Sequence, residues 1–429
     1  MNYISKFTRR YIHKFLKFIK IILLKKSSGL KNVMYMGLVS FFTDFSTEMV
    51  MSVLPLYIIK DLDLSRTILG AIEGSGEFIN YIFRIPSGYI SDKIAKRKIL
   101  VIIGYGISTI SKPFFIVVTT FSDTIIVKVA DRIGKGIRTA PRDALIADSV
   151  DESSSGKAFG VHRTLDQIGA IIGPLFAFLI LELFGGNIQY IFLLSIIPGI
   201  VSLFILIHFV KDKIIDRKGE QELVKITFFS NLKNLFIENK IFVYLVIIMG
   251  IFSLGAFNYS FVLLKSTDLG IEQNFVPIIY AIINITHAAI GIPAGILSDR
   301  IGKEKVLIIG FLMFVISVLV MYFSEKNNII YIISIPLIYG LYVGISETVQ
   351  RALISKYVSE HNRGTAFGFY GLIMGSCLLI GNITFGFLWD NFDISIALLY
   401  SLSLSTLAII SLFSFIKNFF NFGFLQNKI

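Results

Sequence analysis

Residues 86–100 read PSGYISDKIAKRKIL, and residues 293–307 read PAGILSDRIGKEKVL. The two stretches lie 207 residues apart and share a proline, a glycine, a Ser-Asp pair and several basic residues at matched positions. Two further matches follow in the same order and at nearly the same offset: GKAFG (156–160) with GTAFG (364–368), and ALI at 144–146 and again at 352–354. Three ordered matches indicate an internal duplication, so the two halves should share one fold.

The composition is that of a membrane protein. Of the 429 residues, 54% are hydrophobic and only 16% are charged, whereas a soluble domain is about a quarter charged. The mean hydropathy is +0.74. A single cysteine excludes a disulfide-stapled secreted module, and the low charge excludes disorder.

Apolar stretches long enough to cross a bilayer occur twelve times, as two groups of six. A spanning helix needs about 20 such residues. The predicted fold is an all-α membrane protein with two pseudo-symmetric six-helix bundles. The predicted spans cover 33–59, 67–90, 98–119, 124–149, 159–184 and 188–210, then 241–264, 274–297, 305–323, 329–354, 364–388 and 393–416.

The basic residues predict the orientation. Loops and tails on one face carry 29 Lys and Arg, and those on the other carry four. Basic loops stay in the cytoplasm, so both termini should be cytoplasmic in this multi-pass membrane protein. This asymmetry explains the net charge of +12 without a nucleic-acid partner.

The segments outside the bundles are polar. Residues 1–32 are basic and predict an amphipathic helix lying on anionic lipid, with an organellar transit segment as the alternative. We expect an N-terminal bundle over 33–210, a cytoplasmic linker over 211–240, a C-terminal bundle over 241–416 and a cytoplasmic tail over 417–429.

The repeated loop element predicts a cytoplasmic latch between helix ends in one conformation. A carboxylate there can accept hydrogen bonds from backbone N–H groups or basic side chains. Anchoring by the positive-inside rule is the alternative, but it does not explain the matched glycines and aspartates. The proposed latch residues are Gly88, Asp92, Lys96, Gly295, Asp299 and Arg300.

These motifs resemble those of the major facilitator superfamily over about residues 33–416. The repeated element is similar to its loop signature, with Ala95 in place of the usual glycine. Residues 132–136 (RIGKG) are similar to its R-x-x-Q-G signature, and 169–174 (GAIIGP) to the G-x-x-x-G-P signature of antiporters. Other blocks resemble a bacterial branch whose members are mostly described as exporters. The resemblance implies twelve helices and secondary transport by alternating access, in a multi-pass protein of the bacterial inner membrane.

Ionisable residues inside the predicted spans mark the candidate mechanism, because a charge at the bilayer centre costs at least about 2.5–3.5 kcal/mol. Asp44 and Glu48 lie four apart and so on one helix face. Together with Glu77 they are candidate proton carriers, with Arg132 or Lys135 pairing each one when it is deprotonated. The alternative is a set of salt bridges that holds the N-terminal bundle together.

A second set of residues could contact the cargo. Lys135 and Arg138 could bind an anionic group, an interpretation that the same charges leave open beside proton coupling. Polar residues of the second half could line a cavity or merely join helices. The substrate-cavity candidates are Arg138, Asn258, Tyr339, Tyr342 and Glu347.

The sequence contains no G-x-x-x-x-G-K-[ST], G-x-G-x-x-G, H-E-x-x-H or C-x-x-C motif, so we expect no enzyme, cofactor or metal site. The sequence predicts a monomeric secondary transporter for a small molecule, most simply an exporter that exchanges it for protons. The alternatives are a proton-coupled importer of a small organic anion and a membrane receptor without flux.

Overall fold

The computed structural model describes residues 28–94, 96–151, 154–212, 239–358 and 363–426. Within this part of the chain the regular elements are helices, with no β-strand among them. Most of the predicted N-terminal segment (1–32) and of the predicted cytoplasmic linker (211–240) lies outside the described residues, as do the last three residues of the chain. The helices form twelve successive segments, which we number as spans 1–12.

Spans 1–6 form the first half. Span 1 bends at Ser52 and Val53, where the α-helix gives way to shorter helical pieces. Pro55 lies in the first turn of the piece that follows the bend, where its missing N–H breaks no helical hydrogen bond. The segments are Ser28–Met51, Leu54–Leu56 and the π-helical Tyr57–Asp61 (span 1), Arg66–Ile94 (span 2), Arg97–Ser111 with the 3₁₀-helical Lys112–Ile116 (span 3), Phe121–Asp148 (span 4), Ser155–Leu183 (span 5), and Gln189–Leu194 with Ile196–His208 (span 6).

Spans 7–12 form the second half. Span 7 is interrupted after Gly255, and its second piece begins at a cap in which the Asn258 side chain accepts a hydrogen bond from the Ser260 N–H. The segments are Lys240–Gly255 with Tyr259–Asp268 (span 7), Val276–Ile301 (span 8), Lys303–Tyr322 (span 9), Ile329–Tyr357 (span 10), Arg363–Asn391 (span 11) and Ile394–Gln426 (span 12).

Hydropathy separates these segments into two groups. In the described part of the chain, nine of the twelve are long and apolar enough to cross a membrane. The other three are spans 1, 2 and 4, and these contain most of the ionisable residues singled out from the sequence. The polarity that hides them from a hydropathy search is therefore the polarity of the candidate site.

The spans pack mainly within their own half. Span 1 lies against spans 5 and 6, and span 4 against spans 2 and 3; span 10 lies against spans 8 and 9, and span 12 against spans 7 and 9. The two halves contact each other where span 2 packs against span 11 and where span 5 packs against span 8. The observed helices agree with the twelve predicted spans to within a few residues at most boundaries.

The side at which the described chain begins and ends is called the terminal side below, and the opposite side the far side. On the far side the two halves are joined directly. The carboxylate of Asp390 in span 11 accepts hydrogen bonds from the backbone N–H groups of Arg66 and Thr67, at the start of span 2. The Arg66 guanidinium lies over the Trp389 ring, 4.9 Å from its centroid.

Candidate functional site

Ion pairs buried from all solvent form the innermost part of the first half. Lys128 of span 4 donates to both carboxylate oxygens of Glu73 in span 2 at 2.9 Å, and neither side chain is more than 1% exposed. Asp131 accepts from the Ser108 hydroxyl at 2.6 Å and lies 4.0 Å from the fully buried Lys112 ammonium. Charges this deeply buried are tolerated because each has a partner of opposite sign.

Arg132 connects this buried cluster to the partly exposed Glu77. Its guanidinium lies 3.9 Å from Asp131 and 3.6 Å from Glu77, whose side chain is 28% exposed. Lys135, one helical turn further along span 4, is partly buried and interacts electrostatically with Asp44, Glu48 and Glu77. All five predicted proton-coupling residues therefore lie in one cluster, with the acids Asp44, Glu48 and Glu77 around the cations Arg132 and Lys135.

Asp44 has a second neighbour, which the sequence had not singled out. Its carboxyl group lies in hydrogen-bonding contact with the carboxyl group of Asp166 in span 5. Arg163 donates to the other side of this pair, at 2.9 Å from Asp166 Oδ2. Because a carboxylate has no hydrogen to donate, two carboxyl groups in such contact need one proton between them.

Glycines of span 5 bring these two acids together. A Cβ atom on Gly173 would lie 2.7 Å from the carbonyl oxygen of Phe45 in span 1, and one on Gly169 would overlap the carbonyl of Phe41. Small residues at this spacing let two helix backbones approach closely. The G-x-x-x-G-P element thus holds span 5 against span 1 at the level of Asp44.

Glu48 reaches across to the second half. It accepts a hydrogen bond from the Tyr280 hydroxyl of span 8, with the two oxygens 2.5 Å apart. The Tyr280 ring stacks on that of Tyr259 in span 7, with centroids 4.5 Å apart. A carboxylate of the first half is therefore held by an aromatic pair of the second.

Glu347 of span 10 is a carboxylate of the second half that contacts the first half. It accepts from Arg351 at 2.6 Å and from His287 at 2.9 Å, and the Arg163 guanidinium of span 5 lies 3.5 Å away. Arg163 thus lies between Asp166 of its own half and Glu347 of the other. The result is a line of charges that runs from span 1 through span 5 to span 10.

Arg138 is buried inside the first half and is not placed to contact a cargo in this conformation. It is 3% exposed, and its guanidinium lies over the Tyr105 ring of span 3, 4.5 Å from the centroid. One of its terminal nitrogens is buried without a hydrogen-bond partner. Its predicted contact with a cargo stays a prediction, since the side chain lies inside the first half in this conformation.

The remaining cavity candidates surround the interruption of span 7. The Tyr339 hydroxyl donates to the carbonyl oxygen of Phe257 at 2.8 Å, and Asn258 caps the helix that follows. Tyr342 packs beside Phe314, with ring centroids 4.9 Å apart. Tyr339 and Asn258 thus satisfy backbone groups that the interruption leaves open, and Tyr342 is the more accessible of the two tyrosines.

The predicted latch element is more helical than its sequence suggests. Gly88 and Asp92 continue span 2, and Gly295, Asp299 and Arg300 continue span 8, rather than forming a turn. Lys96, Asp299 and Arg300 are exposed, and the side chain of Asp92 lies outside the described residues.

Ion pairs close to the latch element repeat with reversed polarity. In the first half Arg97 pairs with Asp148 at 3.0 Å, at the ends of spans 3 and 4. In the second half Glu304 pairs with Lys356 at the ends of spans 9 and 10. The duplication therefore keeps the pair while exchanging the signs of its members.

The candidate residues drawn from the sequence do not include Asp166, Arg163, Tyr280 or His287. Residues 163, 166 and 169 follow a spacing of three, so Asp166 lies on the same helix face as the glycine that contacts span 1. That spacing was a usable signal. The contacts of Tyr280 and His287 depend on packing between the halves, which one sequence does not show.

Comparisons with known proteins agree with this architecture. The sequence profile of the Major Facilitator Superfamily matches residues 36–282 and 243–420. An uncharacterized MFS-type transporter of Methanocaldococcus jannaschii, MJ1317, is 34% identical over 388 residues, covering 89% of this chain and 93% of the relative. The quinolone resistance protein NorA of Staphylococcus aureus is 29% identical over 126 residues, covering 29% and 32%.

The solved structures share the fold at low sequence identity. A point variant of the nucleoside transporter NupG has a TM-score of 0.75 at 14% identity, covering 90% of this chain and 99% of that one. A POT family transporter crystallised with 5-aminolevulinic acid has a TM-score of 0.72 at 14% identity, covering 90% and 95%. The twelve helical segments, the internal repeat and the profile match over nearly the whole chain lead to one conclusion: the chain belongs to the Major Facilitator Superfamily, as a multi-pass membrane transporter.

Proposed function

We propose that this transporter couples movement of a small molecule to protons and exports it by antiport. The observation that carries proton coupling is the contact between the Asp44 and Asp166 carboxyl groups. A proton held between two acids inside the membrane is a group that one conformation can bind and another release. The cation of Arg163 beside Asp166 supplies a partner for the charge left behind when the proton departs.

Bonds between the halves tie this proton to the conformational change. Alternating access rocks one six-helix bundle against the other. Such a movement separates Glu48 from Tyr280 and Arg163 from Glu347, which lie in opposite halves. A desolvated carboxylate that loses its partner gains from binding a proton, so the protonation state and the conformation change together.

Two observations support export. The G-x-x-x-G-P element, similar to that of antiporters, packs span 5 against span 1 beside the proton pair. NorA, named for quinolone resistance, resembles about a third of the chain. A protein that confers resistance by this fold is consistent with outward movement of its cargo.

Proton-coupled import of a small organic anion is the second candidate. The observation that favours it is the set of half-exposed arginines between the two halves, where the side chains of Arg163 and Arg351 are 48% and 54% exposed. An importer would carry cargo and proton in the same direction, whereas an antiporter would carry them in opposite directions.

The orientation and organisation belong to the same proposal. We propose that the terminal side faces the cytoplasm of a bacterial inner membrane, since 29 of the 33 loop and tail basic residues lie on it. The transporter then acts as a monomer of two bundles, 33–210 and 241–416, whose cytoplasmic ends are latched by the two loop elements.

The test begins with a metabolite comparison between cells with and without the protein, which identifies a cargo. The protein is then reconstituted in vesicles with that cargo and an imposed pH gradient. For an antiporter, cargo leaves the vesicles as protons enter. Asp44→Asn and Asp166→Asn should lose this proton-driven flux while keeping cargo exchange without a gradient.

The matched control is Glu182→Gln, which changes an exposed carboxylate at the far-side end of span 5. It should transport like the unaltered protein. Full proton-driven flux in both aspartate variants would overturn proton coupling through this pair. Entry of cargo together with protons would replace export by the second candidate.

A further inference from the structure

We propose that Arg84 of span 2 and Arg351 of span 10 bind an anionic group of the cargo, a carboxylate or a phosphate, between the two halves. This inference rests on the transport function proposed above and holds for either direction of transport. It differs from the anion site that the sequence suggested at Lys135 and Arg138, because Arg138 lies against Tyr105 inside the first half.

Arg84 is a cation without an ion-pair partner among the described residues. No carboxylate of the described residues forms an ion pair with it, and its Nε is buried without a hydrogen-bond partner. Its charged neighbours include Arg351 and Arg142, which repel it, and Asp143, which attracts it. Asp143 is itself paired with Arg142 at 2.8 Å. An unpaired guanidinium within a membrane span is costly, so its position calls for a bound anion.

The carboxylates of spans 5 and 10 that lie between the two halves already have basic partners. Glu347 is shared by Arg351, His287 and Arg163, so three basic groups surround one carboxylate. Asp166 is paired with Arg163 at 2.9 Å. These carboxylates therefore already have basic partners, and neither of them pairs with Arg84.

The duplication shows that Arg84 has no charged counterpart in the second half. The residue that lies 207 positions after Arg84 is Gly291, so the second half places no charge at the equivalent point of span 8. A Cβ atom on Gly291 would meet only the Thr348 hydroxyl, at 3.7 Å, so the position has room for a side chain. Arg351, reaching in from span 10, supplies the second half's charge from a different helix.

Two guanidinium groups from opposite halves suit an anionic ligand. Each presents a planar fork of N–H donors that matches a carboxylate or a phosphate in bidentate fashion. Tyr81 and Tyr370, one from each half, lie beside them with ring centroids 6.2 Å apart. A ligand held by both arginines would relieve the repulsion between them, and its binding would depend on the distance between the two bundles.

Binding of defined anions to the full chain in detergent tests this site without any transport assay. Thermal unfolding is followed at constant ionic strength with succinate, with inorganic phosphate or with neutral succinamide. One of the two anions should stabilise the protein in a saturable way, and succinamide should not. The separate arms show whether carboxylate or phosphate is preferred.

Removing either arginine should weaken binding about 10- to 100-fold, the range expected for a hydrogen bond to a charged group. Arg84→Gln and Arg351→Gln are the test variants, and Arg84→Lys keeps the charge without the fork. Lys240→Gln, which removes an exposed positive charge on the terminal side, is the matched control and should bind as the unaltered protein does. Unfolding without ligand monitors whether each variant folds.

The proposal is overturned if neither anion stabilises the unaltered protein more than succinamide, or if both glutamine variants bind with unchanged affinity. Because no pH gradient or flux is measured, a failure of proton coupling would leave this result standing. A positive result in a protein that fails the vesicle test would keep the anion site and remove the proposed coupling.

Discussion

The two halves share an architecture but differ in what fills them. At five matched positions inside the spans the first half carries a charge and the second carries a neutral or aromatic residue. With an offset of 207 or 208, the pairs are Glu73 with Tyr280, Glu77 with Asn284, Asp131 with Tyr339, Arg132 with Gly340 and Lys135 with Val343. The second half is instead filled by stacked rings, such as Phe252 and Phe311 with centroids 3.7 Å apart.

This difference separates the needs of the fold from those of the mechanism. An aromatic core holds the second six-helix bundle together, so the fold itself does not require buried ion pairs. Buried ion pairs are weak evidence for stability, because desolvation offsets most of their attraction. The charged core of the first half is therefore where we place proton coupling, and the second half supplies partners across the interface.

The largest expected effect comes from breaking the buried pair in the first half. Glu73→Gln leaves the Lys128 ammonium without an anion and should lower the free energy of unfolding by about 3–5 kcal/mol. Denaturation of the purified protein measures this. Glu73→Gln combined with Lys128→Met should recover much of the loss, because both charges are then absent. If the single variant is as stable as the unaltered protein, the charged core is not held by pairing.

The glycines that join span 5 to span 1, and span 11 to span 7, test whether the halves pack alike. A Cβ atom on Gly173 would meet the Phe45 carbonyl at 2.7 Å, and one on the equivalent Gly381 would meet the Leu254 carbonyl at 2.5 Å. Gly173→Ala and Gly381→Ala should each cost about 1–3 kcal/mol through overpacking. Thermal unfolding would compare them.

Gly156→Ala is the control for both, because a Cβ atom there would meet nothing within 4 Å. It should be neutral or slightly stabilising, as alanine favours a helix over glycine. If Gly173→Ala is tolerated and Gly381→Ala is not, the close approach of spans 1 and 5 does not resemble that of spans 7 and 11.

The contact of Asp390 with the start of span 2 tests how strongly the two halves are held together on the far side. Asp390→Asn weakens the hydrogen bonds to the N-terminal turn of span 2 and should favour far-side opening by about 1–2 kcal/mol. Distances between spin labels on spans 2 and 11 would report the shift. Unchanged distance distributions would mean that the helix packing below, and not Asp390, sets the closure.

The smallest effect should come from the pair of reversed polarity in the second half. Glu304→Gln should cost about 1 kcal/mol or less, since the Lys356 side chain is 41% exposed. The exchange Glu304→Lys with Lys356→Glu, which copies the polarity of the first half, should restore the loss. A double variant that is no better than the single one would show that the sign of the pair matters at this position.

Much of the architecture was predictable because it depends on properties local to the chain. Hydropathy and the repeat give twelve helices, and the four-residue spacing of Asp44 and Glu48 puts both on one face. Helical spacing gives only relative directions, however. It could not tell that Arg138 turns toward Tyr105 in span 3 and away from the space between the halves.

Partners across helices were the part that the sequence could not supply. Asp166 lies in an apolar span, and its significance depends on Asp44, more than a hundred residues away along the chain. Tyr280 and Glu347 likewise gain their roles from residues of the other half. Such contacts depend on how closely two helices approach, which is decided by the small residues between them.

Spans 2 and 11 approach each other closely at several glycines. A Cβ atom on Gly74 would lie 2.6 Å from the Leu379 Cα, and one on Gly375 would lie 3.0 Å from the Phe78 Cα. Backbones this close leave no gap wide enough for a lipid acyl chain to enter from the bilayer. The contact between the halves is thus closed to lipid at these glycines, and bulky substitutions there would force spans 2 and 11 apart and let lipid in between them.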